Sequence, residues 1–173
     1  GDAIQGTPLA HYALTTSVGD GSDPAIAAMN LVGYDAAVLG NHEFNFGLEV
    51  LRRSLAQSRF PWLGANLDGA SGERLPVHPH RLIKRGSVRI AVLGLANPNI
   101  PHWDPPSHLG AVTFADPVAV AAAEVAAVRE RADLVIVLLH AGFERDLATG
   151  EPDGSDYENY AWRVAQVPGI DLL

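Results

Sequence analysis

Four polar residues stand out by type and by place: Asp2, Asn41, His42 and His140. Asn41 and His42 follow the apolar run Ala36 to Leu39 and Gly40, and His140 ends the apolar run Leu134 to Leu139. A carboxylate, a neutral amide and an imidazole form a donor set for divalent transition metals, and a carboxylate such as Asp2 can bridge two ions about 3.5–4 Å apart. The Asn41 carbonyl would complete such a shell without adding negative charge. His42, next along the chain, points elsewhere and need not be a ligand. An imidazole beside a metal centre stabilises developing negative charge or protonates a leaving oxygen. Each residue also has a plainer reading: Asn41-His42 as a helix cap, His140 as a satisfied core histidine, and Asp2 as a solvated turn residue.

The elements that must position these residues follow from pattern. Asp23-Pro24 is a cap with a first-turn proline, and residues 24–32 form a helix that stops at Gly33. Residues 36–39 read as a buried strand, and 47–58 as a helix with Leu48, Leu51 and Leu55 at helical spacing. Residues 60–67 form a short strand and 68–74 a polar turn. Residues 80–84 and 88–95 pair as a hairpin across Arg85-Gly86-Ser87. Four prolines between Asn97 and Gly110 predict an irregular surface excursion. Asp116-Pro117 opens a helix to Ala132, Asp133 to Leu139 is the most apolar strand, and 157–167 is a final helix. A further strand begins near Gly169. Continuous apolar strands alternating with helices imply a layered α/β fold covered on both faces.

At 173 residues the chain suits one compact domain burying roughly 70% of its unfolded surface. A net charge of −8 and a single lysine, Lys84, argue against a polymeric nucleic-acid partner. An anionic small molecule stays compatible, because a bound cation dominates the field of its own site. The absence of cysteine excludes thiolate nucleophiles and Cys-type zinc sites. No stretch approaches the ~20 apolar residues of a membrane span. Gly1-Asp2 sits inside a turn signal and the last residues open a strand, so the chain reads as a fragment of a longer protein.

Three segments together resemble a known family: Gly1-Asp2-Ala3-Ile4-Gln5-Gly6-Thr7-Pro8-Leu9, Gly40-Asn41-His42-Glu43-Phe44-Asn45-Phe46-Gly47, and Leu139-His140-Ala141-Gly142. Their order and spacing resemble the calcineurin-like metallophosphoesterases, within them the 5′-nucleotidase family, and most closely its 2′,3′-cyclic-nucleotide 2′-phosphodiesterase/3′-nucleotidase branch. Pro101-His102-Trp103-Asp104 and Val167-Pro168-Gly169-Ile170-Asp171 extend the match.

The resemblance implies an αββα sandwich, incomplete at both ends, and a partial catalytic domain over 1–173 with no second domain. It implies Asp2 as the ligand bridging two divalent cations (Mn, Zn, Mg, Co or Fe), and Asn41 and His140 as ligands of one of them. His42 would be the catalytic histidine, oriented by Asn45, where 5′-nucleotidases typically carry aspartate and the cyclic branch asparagine. A hydroxide held between the cations would attack phosphorus in a nucleoside 2′,3′-cyclic phosphate or 3′-nucleotide. The family's Asp-x-His and Gly-His-x-His words are absent here, so the fragment alone is expected to bind metal weakly and to be inactive. Glu43 is read as a first-turn helix acid, and Asn66 as a turn residue. Export to a periplasm or cell wall is expected from the branch alone. The alternatives are a 5′-nucleotidase, a nucleotide-sugar hydrolase, or a non-catalytic α/β module with a vestigial site.

Overall fold

In the computed structural model, residues 1–16, 22–69 and 74–173 are described. The elements run α1 (Pro8–Thr15), α2 (Pro24–Val32), β1 (Ala37–Val38), a 3-10 turn (His42–Phe44), α3 (Gly47–Gln57), β2 (Trp62–Leu63), β3 (Leu67–Gly69), β4 (His80–Arg85) and β5 (Val88–Leu95). They continue with α4 (Ile100–Trp103), α5 (Pro106–Leu109), β6 (Val112–Phe114), α6 (Pro117–Val128), a 3-10 turn (Arg129–Arg131), β7 (Leu134–Leu139) and α7 (Ala161–Ala165).

Three of the helices open alike. Thr7, Asp23 and Asp116 each place a side-chain oxygen on free N–H groups of the first turn, and a proline follows each cap. Proline costs nothing there, because its missing N–H would have been unpaired. Thr7-Pro8 carried the same signal as Asp23-Pro24, yet α1 was not expected. The helix ends at Gly33 in the left-handed conformation, φ 82°, as expected.

β5 is the spine. It pairs antiparallel with β4 in the expected hairpin and parallel with β7, from Ile90 opposite Leu134 to Leu95 opposite Leu139. Ala91, Leu93 and Leu95 project to one face and, with Val135 and Val137, pack under Ala121, Val125 and Val128 of α6 and Val164 of α7. On the opposite face β2 presses against Gly94, where a Cβ would lie 2.3 Å from the Leu63 Cβ. β1 and β2 pair in parallel, and their Ala37 and Trp62 join a second core with Leu14, Ile26, Leu51 and Leu55 from α1, α2 and α3. Helices thus cover sheet on both sides, giving the layered α/β architecture.

Three expectations need correction. The proline-rich segment is not irregular: Pro101 and Pro106 sit in the first turns of α4 and α5, and Ile100 and Leu109 plug the second core. The strand expected over 60–67 pairs only at Trp62–Leu63, since Gly64 and Ala65 bond instead to His78 and Gly94. The last helix is confined to 161–165, because 155–160 is taken up by turns bonding to Ser155 and Gly142. The polar turn expected at 68–74 lies partly outside the described residues. Near the C-terminal residues, Leu172 bridges Ile136 in parallel, the beginning of the expected strand.

The register of β5 and β7 is pinned at its open end by Arg89 and Asp133. The Arg89 guanidinium donates to both Asp133 oxygens, its backbone N–H donates to Oδ2 at 2.8 Å, and Asp133 N returns a bond to the Arg89 carbonyl. The Arg89 side chain, then its N–H, hold the Asp133 carboxyl down to about 2. Folding therefore gains from this carboxylate above its unfolded value of about 3.9 and loses that gain as pH falls toward about 2. Asp133→Asn is expected to lower stability at neutral pH and to flatten the fall between about pH 4 and about pH 2. Urea midpoints measured across that window check this, and parallel curves for the two proteins would contradict it.

Candidate functional site

The polar residues singled out in the sequence gather where β1 and β7 end. β1 runs into Gly40, and the chain then tightens into the His42–Phe44 turn. The Asn41 side chain makes no capping hydrogen bond to that turn, which removes the plain capping reading. From the other side, β7 delivers His140, whose backbone N–H is held by the Leu95 carbonyl at the end of β5.

Glu43 organises the junction. It is fully buried, and its Oε2 accepts from Asp2 N at 2.7 Å and Gly40 N at 2.5 Å, while Oε1 accepts from Ala3 N at 2.5 Å. Three backbone donors on one carboxylate tie the Gly-Asp segment to the end of β1. The expectation of a simple first-turn acid is therefore corrected: Glu43 is an internal anchor. Its burial between two glycine-containing segments is not visible from helix-end statistics, although an acid preceding Phe44 in a buried turn was the available signal.

With its N–H so fixed, Asp2 adopts φ 62°, alone among the described non-glycine residues in having positive φ. Such backbone is uncommon outside glycine and clusters at functional sites, where surrounding structure over-determines it. It places Oδ1 to accept from His42 N at 3.0 Å and Oδ2 3.1 Å from His140 Nε2. Gly40 has no room for a side chain, since its Cβ would lie 2.3 Å from Asp2 Oδ1 and 3.0 Å from His140 Nε2.

Asp2 and His140 fit a shared cation. Adjacent ligands of an octahedral ion with bonds of about 2.1 Å stand about 3 Å apart, the separation seen between their donor atoms. Asn41 and His140 line one cleft of about 300 Å³ with Asn97, Trp103 and Asn159. No group of three or more His, Cys, Asp or Glu side chains suited to a metal exists among the described residues, so an oxygen from Asn41 is needed to extend the pair. A second hollow of about 400 Å³ adjoins across Trp103 and Glu158 and is lined also by Asn99, His102 and Tyr157.

His42 is held separately. Its Nδ1 lies 2.6 Å from Asn45 Oδ1, and Asn45 Nδ2 donates to Asp104 Oδ1 at 2.9 Å. The other polar residues are structural. Asn66 is buried and uses its amide on Ala96 N, Ala96 O and Ala115 O, stapling β3 and β6 to the end of β5. Asn97 donates to the Glu158 carbonyl, and Asn159 accepts from Gly142 N, fixing the cleft wall after His140. Glu144 accepts from Trp162 N, Arg163 N and Arg163 Nε. Burial pushes its carboxyl up, but these donors outweigh it and hold the group below its ordinary value. His80 pairs with Glu124, and His11 packs against Phe46.

No family model matches the sequence. Curated relatives do. The chain is 35% identical over 185 residues to a 2′,3′-cyclic-nucleotide 2′-phosphodiesterase/3′-nucleotidase of Salmonella typhimurium, covering 100% of this chain and 28% of the relative. It is 36% identical over 124 residues to a 5′-nucleotidase of Vibrio cholerae, covering 70% of this chain and 22% of the relative. Among solved structures, the calcineurin-like phosphoesterase YfkN of Bacillus subtilis superposes with TM-score 0.81 at 32% identity, over 99% of this chain and 55% of that one. A Staphylococcus aureus candidate 5′-nucleotidase, crystallised with alpha-ketoglutarate, reaches TM-score 0.87 at 32% identity, over 99% of this chain and 34% of that one. The chain belongs to the calcineurin-like phosphoesterases. Within them it joins the group that includes the 2′,3′-cyclic-nucleotide 2′-phosphodiesterase/3′-nucleotidases and the 5′-nucleotidases, and it spans between a fifth and a third of the length of those curated relatives.

Because Glu43 satisfies three backbone donors, Glu43→Ala is expected to lower stability by about 2–4 kcal/mol through orphaned N–H groups. Chemical denaturation checks this, and an unchanged midpoint would show that the anchor is dispensable.

Proposed function

We propose that these residues are part of the catalytic domain of a metal-dependent phosphoesterase acting on nucleoside 2′,3′-cyclic phosphates and 3′-nucleotides. The observation that carries the reading is the meeting of Asp2 and His140 at 3.1 Å beside Asn41, with His42 held apart on its own hydrogen bond. In this reading Asp2, Asn41 and His140 hold divalent cation, with Asp2 placed to touch two ions. Divalent cations bound there supply charge neutralisation for phosphoryl oxygens and activate water as the nucleophile.

The chain's own groups divide the remaining work. Glu43 and the Asp2 backbone keep the Asp2 carboxylate aimed at His140 rather than at solvent. Asp2 Oδ1 is already engaged by the His42 N–H, which leaves Oδ2 as the freer oxygen for a cation. His42, bonded through Nδ1 to Asn45, keeps Nε2 to exchange a proton with the leaving oxygen of the ester. Asn45 at this place, rather than an acid, supports the cyclic-phosphodiesterase reading over the 5′-nucleotidase one. The first substrates are small nucleotides rather than polymeric nucleic acid, in keeping with a net charge of −8. Export from the cytoplasm follows from the branch, and no helix among the described residues is long and apolar enough to cross a membrane.

The protein carrying this chain, loaded with Mn²⁺, is expected to hydrolyse 2′,3′-cyclic AMP and bis-p-nitrophenyl phosphate and to lose that activity on chelation. No turnover of either would overturn the reading, and a strong preference for 5′-AMP would redirect it to 5′-nucleotidase. The 173 residues alone are expected to show little activity. His42→Ala should cut turnover about 10²- to 10⁴-fold while metal content stays near that of the parent. Asn41→Ala and His140→Ala should lower metal content itself, measured by elemental analysis after gel filtration. Equal loss of metal in His42→Ala would mark His42 as a ligand instead.

A further inference from the structure

Asp104 is a carboxylate with no evident structural duty. It closes α4 immediately before Pro105, is only 6% exposed, and accepts no backbone N–H among the described residues. Its Oδ2 is buried without a hydrogen-bond partner, and so is the nearby His108 Nδ1, which stands 3.7 Å from Asp104 Oδ1. A buried, half-satisfied carboxylate is destabilising relative to an apolar side chain of similar volume. Its one good contact is the bond received from Asn45 Nδ2 at 2.9 Å, and Asn45 in turn meets His42 Nδ1 at 2.6 Å.

The chemistry of these three groups leaves a single consistent arrangement. An amide has one donating and one accepting end, whereas a carboxylate only accepts. Asn45 must therefore turn its NH₂ toward Asp104, since the reverse would set oxygen against oxygen. That leaves only Oδ1 for His42, so the imidazole must donate from Nδ1. A neutral imidazole that carries its proton on Nδ1 has Nε2 as an open acceptor, and which nitrogen carries the proton is set by the bond the other makes.

We propose that Asp104 is a positioning residue: by holding the Asn45 amide in one orientation it fixes His42 as the Nδ1–H tautomer and keeps Nε2 available to the substrate. The proposal rests on the reading of His42 as the group that serves the leaving oxygen. It also explains how asparagine can stand where an aspartate would orient a histidine directly. An aspartate needs no second group, because either of its oxygens accepts. An asparagine does, and Asp104 supplies it from the proline-rich segment.

The test uses the intact Mn²⁺-loaded protein and its metal-free form. Asp104→Leu is expected to lower kcat for 2′,3′-cyclic AMP about 10- to 100-fold, the usual effect of removing a group that orients another, with KM and bound Mn²⁺ unchanged. Adding Asn45→Asp to Asp104→Leu should bring kcat back to the level of Asn45→Asp alone, because a carboxylate at 45 makes orientation unnecessary. A purely structural loss at 104 would not be repaired this way. In the metal-free protein, ¹⁵N–¹H correlation spectra of the neutral His42 ring should show Nδ1–H in the parent and a mixture of tautomers in Asp104→Leu. An Nε2–H ring in the parent, an unchanged kcat in Asp104→Leu, or a loss that Asn45→Asp leaves unrepaired would overturn the proposal. A parent protein with the Nδ1–H ring and no phosphoesterase activity would refute the functional reading while leaving the relay standing.

Discussion

The carboxylate of Glu43, accepting hydrogen bonds from Asp2, Ala3 and Gly40, is the interaction on which the site depends. It joins two stretches of chain about forty residues apart at the end of β1. Without it nothing would hold Asp2 at φ 62°, and an Asp2 relaxed to ordinary backbone would not keep its two oxygens on His42 N and His140. The strain of one residue is thus maintained by a buried acid whose donors are all main chain. That arrangement also demands glycine at position 40, because any Cβ there would occupy the place of the Asp2 carboxylate.

Around this anchor the fold separates two tasks. The β1 and β7 ends, both seated on β5, bring Asn41 and His140 to one cleft. The proline-rich segment, ordered by α4 and α5, backs the histidine through Asn45 and Asp104. The donors that approach metal and the group that moves a proton are therefore fixed by different elements. A change in one need not disturb the other. Asn66 plays the corresponding role at the far end of β5, where its amide replaces the ladder bonds that a longer β2 would have made.

Much of this was legible in the sequence because it rests on local chemistry. Cap and proline pairs gave the starts of α2 and α6, continuous apolar runs gave β5 and β7, and the Gly-Asp, Asn-His and strand-end His residues fell where the structure gathers the site. What escaped was set by long-range bonding. The four prolines between 97 and 110 read as breakers, yet prolines in first turns are compatible with helix, and buried Ile100 and Leu109 give those turns something to pack on. Glu43 looked like an ordinary helix-end acid because its partners, Asp2 and Ala3, lie forty residues away. Asp104 was placed near the cleft by its sequence neighbours, but its bond to Asn45 depends on how α4 folds back toward the His42–Phe44 turn. Strand lengths failed for a similar reason: Gly64 and Ala65 pair with single residues of other segments instead of extending β2.

The central claim is that Asp2, Asn41 and His140 form a cation site. Anomalous diffraction from crystals of the intact protein soaked in Mn²⁺ tests it most directly. The account predicts an anomalous peak in contact with the Asp2 carboxylate, the His140 imidazole and the Asn41 side-chain oxygen, with His42 outside the coordination sphere. A manganese ion bound elsewhere, or one that takes His42 and leaves Asn41 aside, would contradict it.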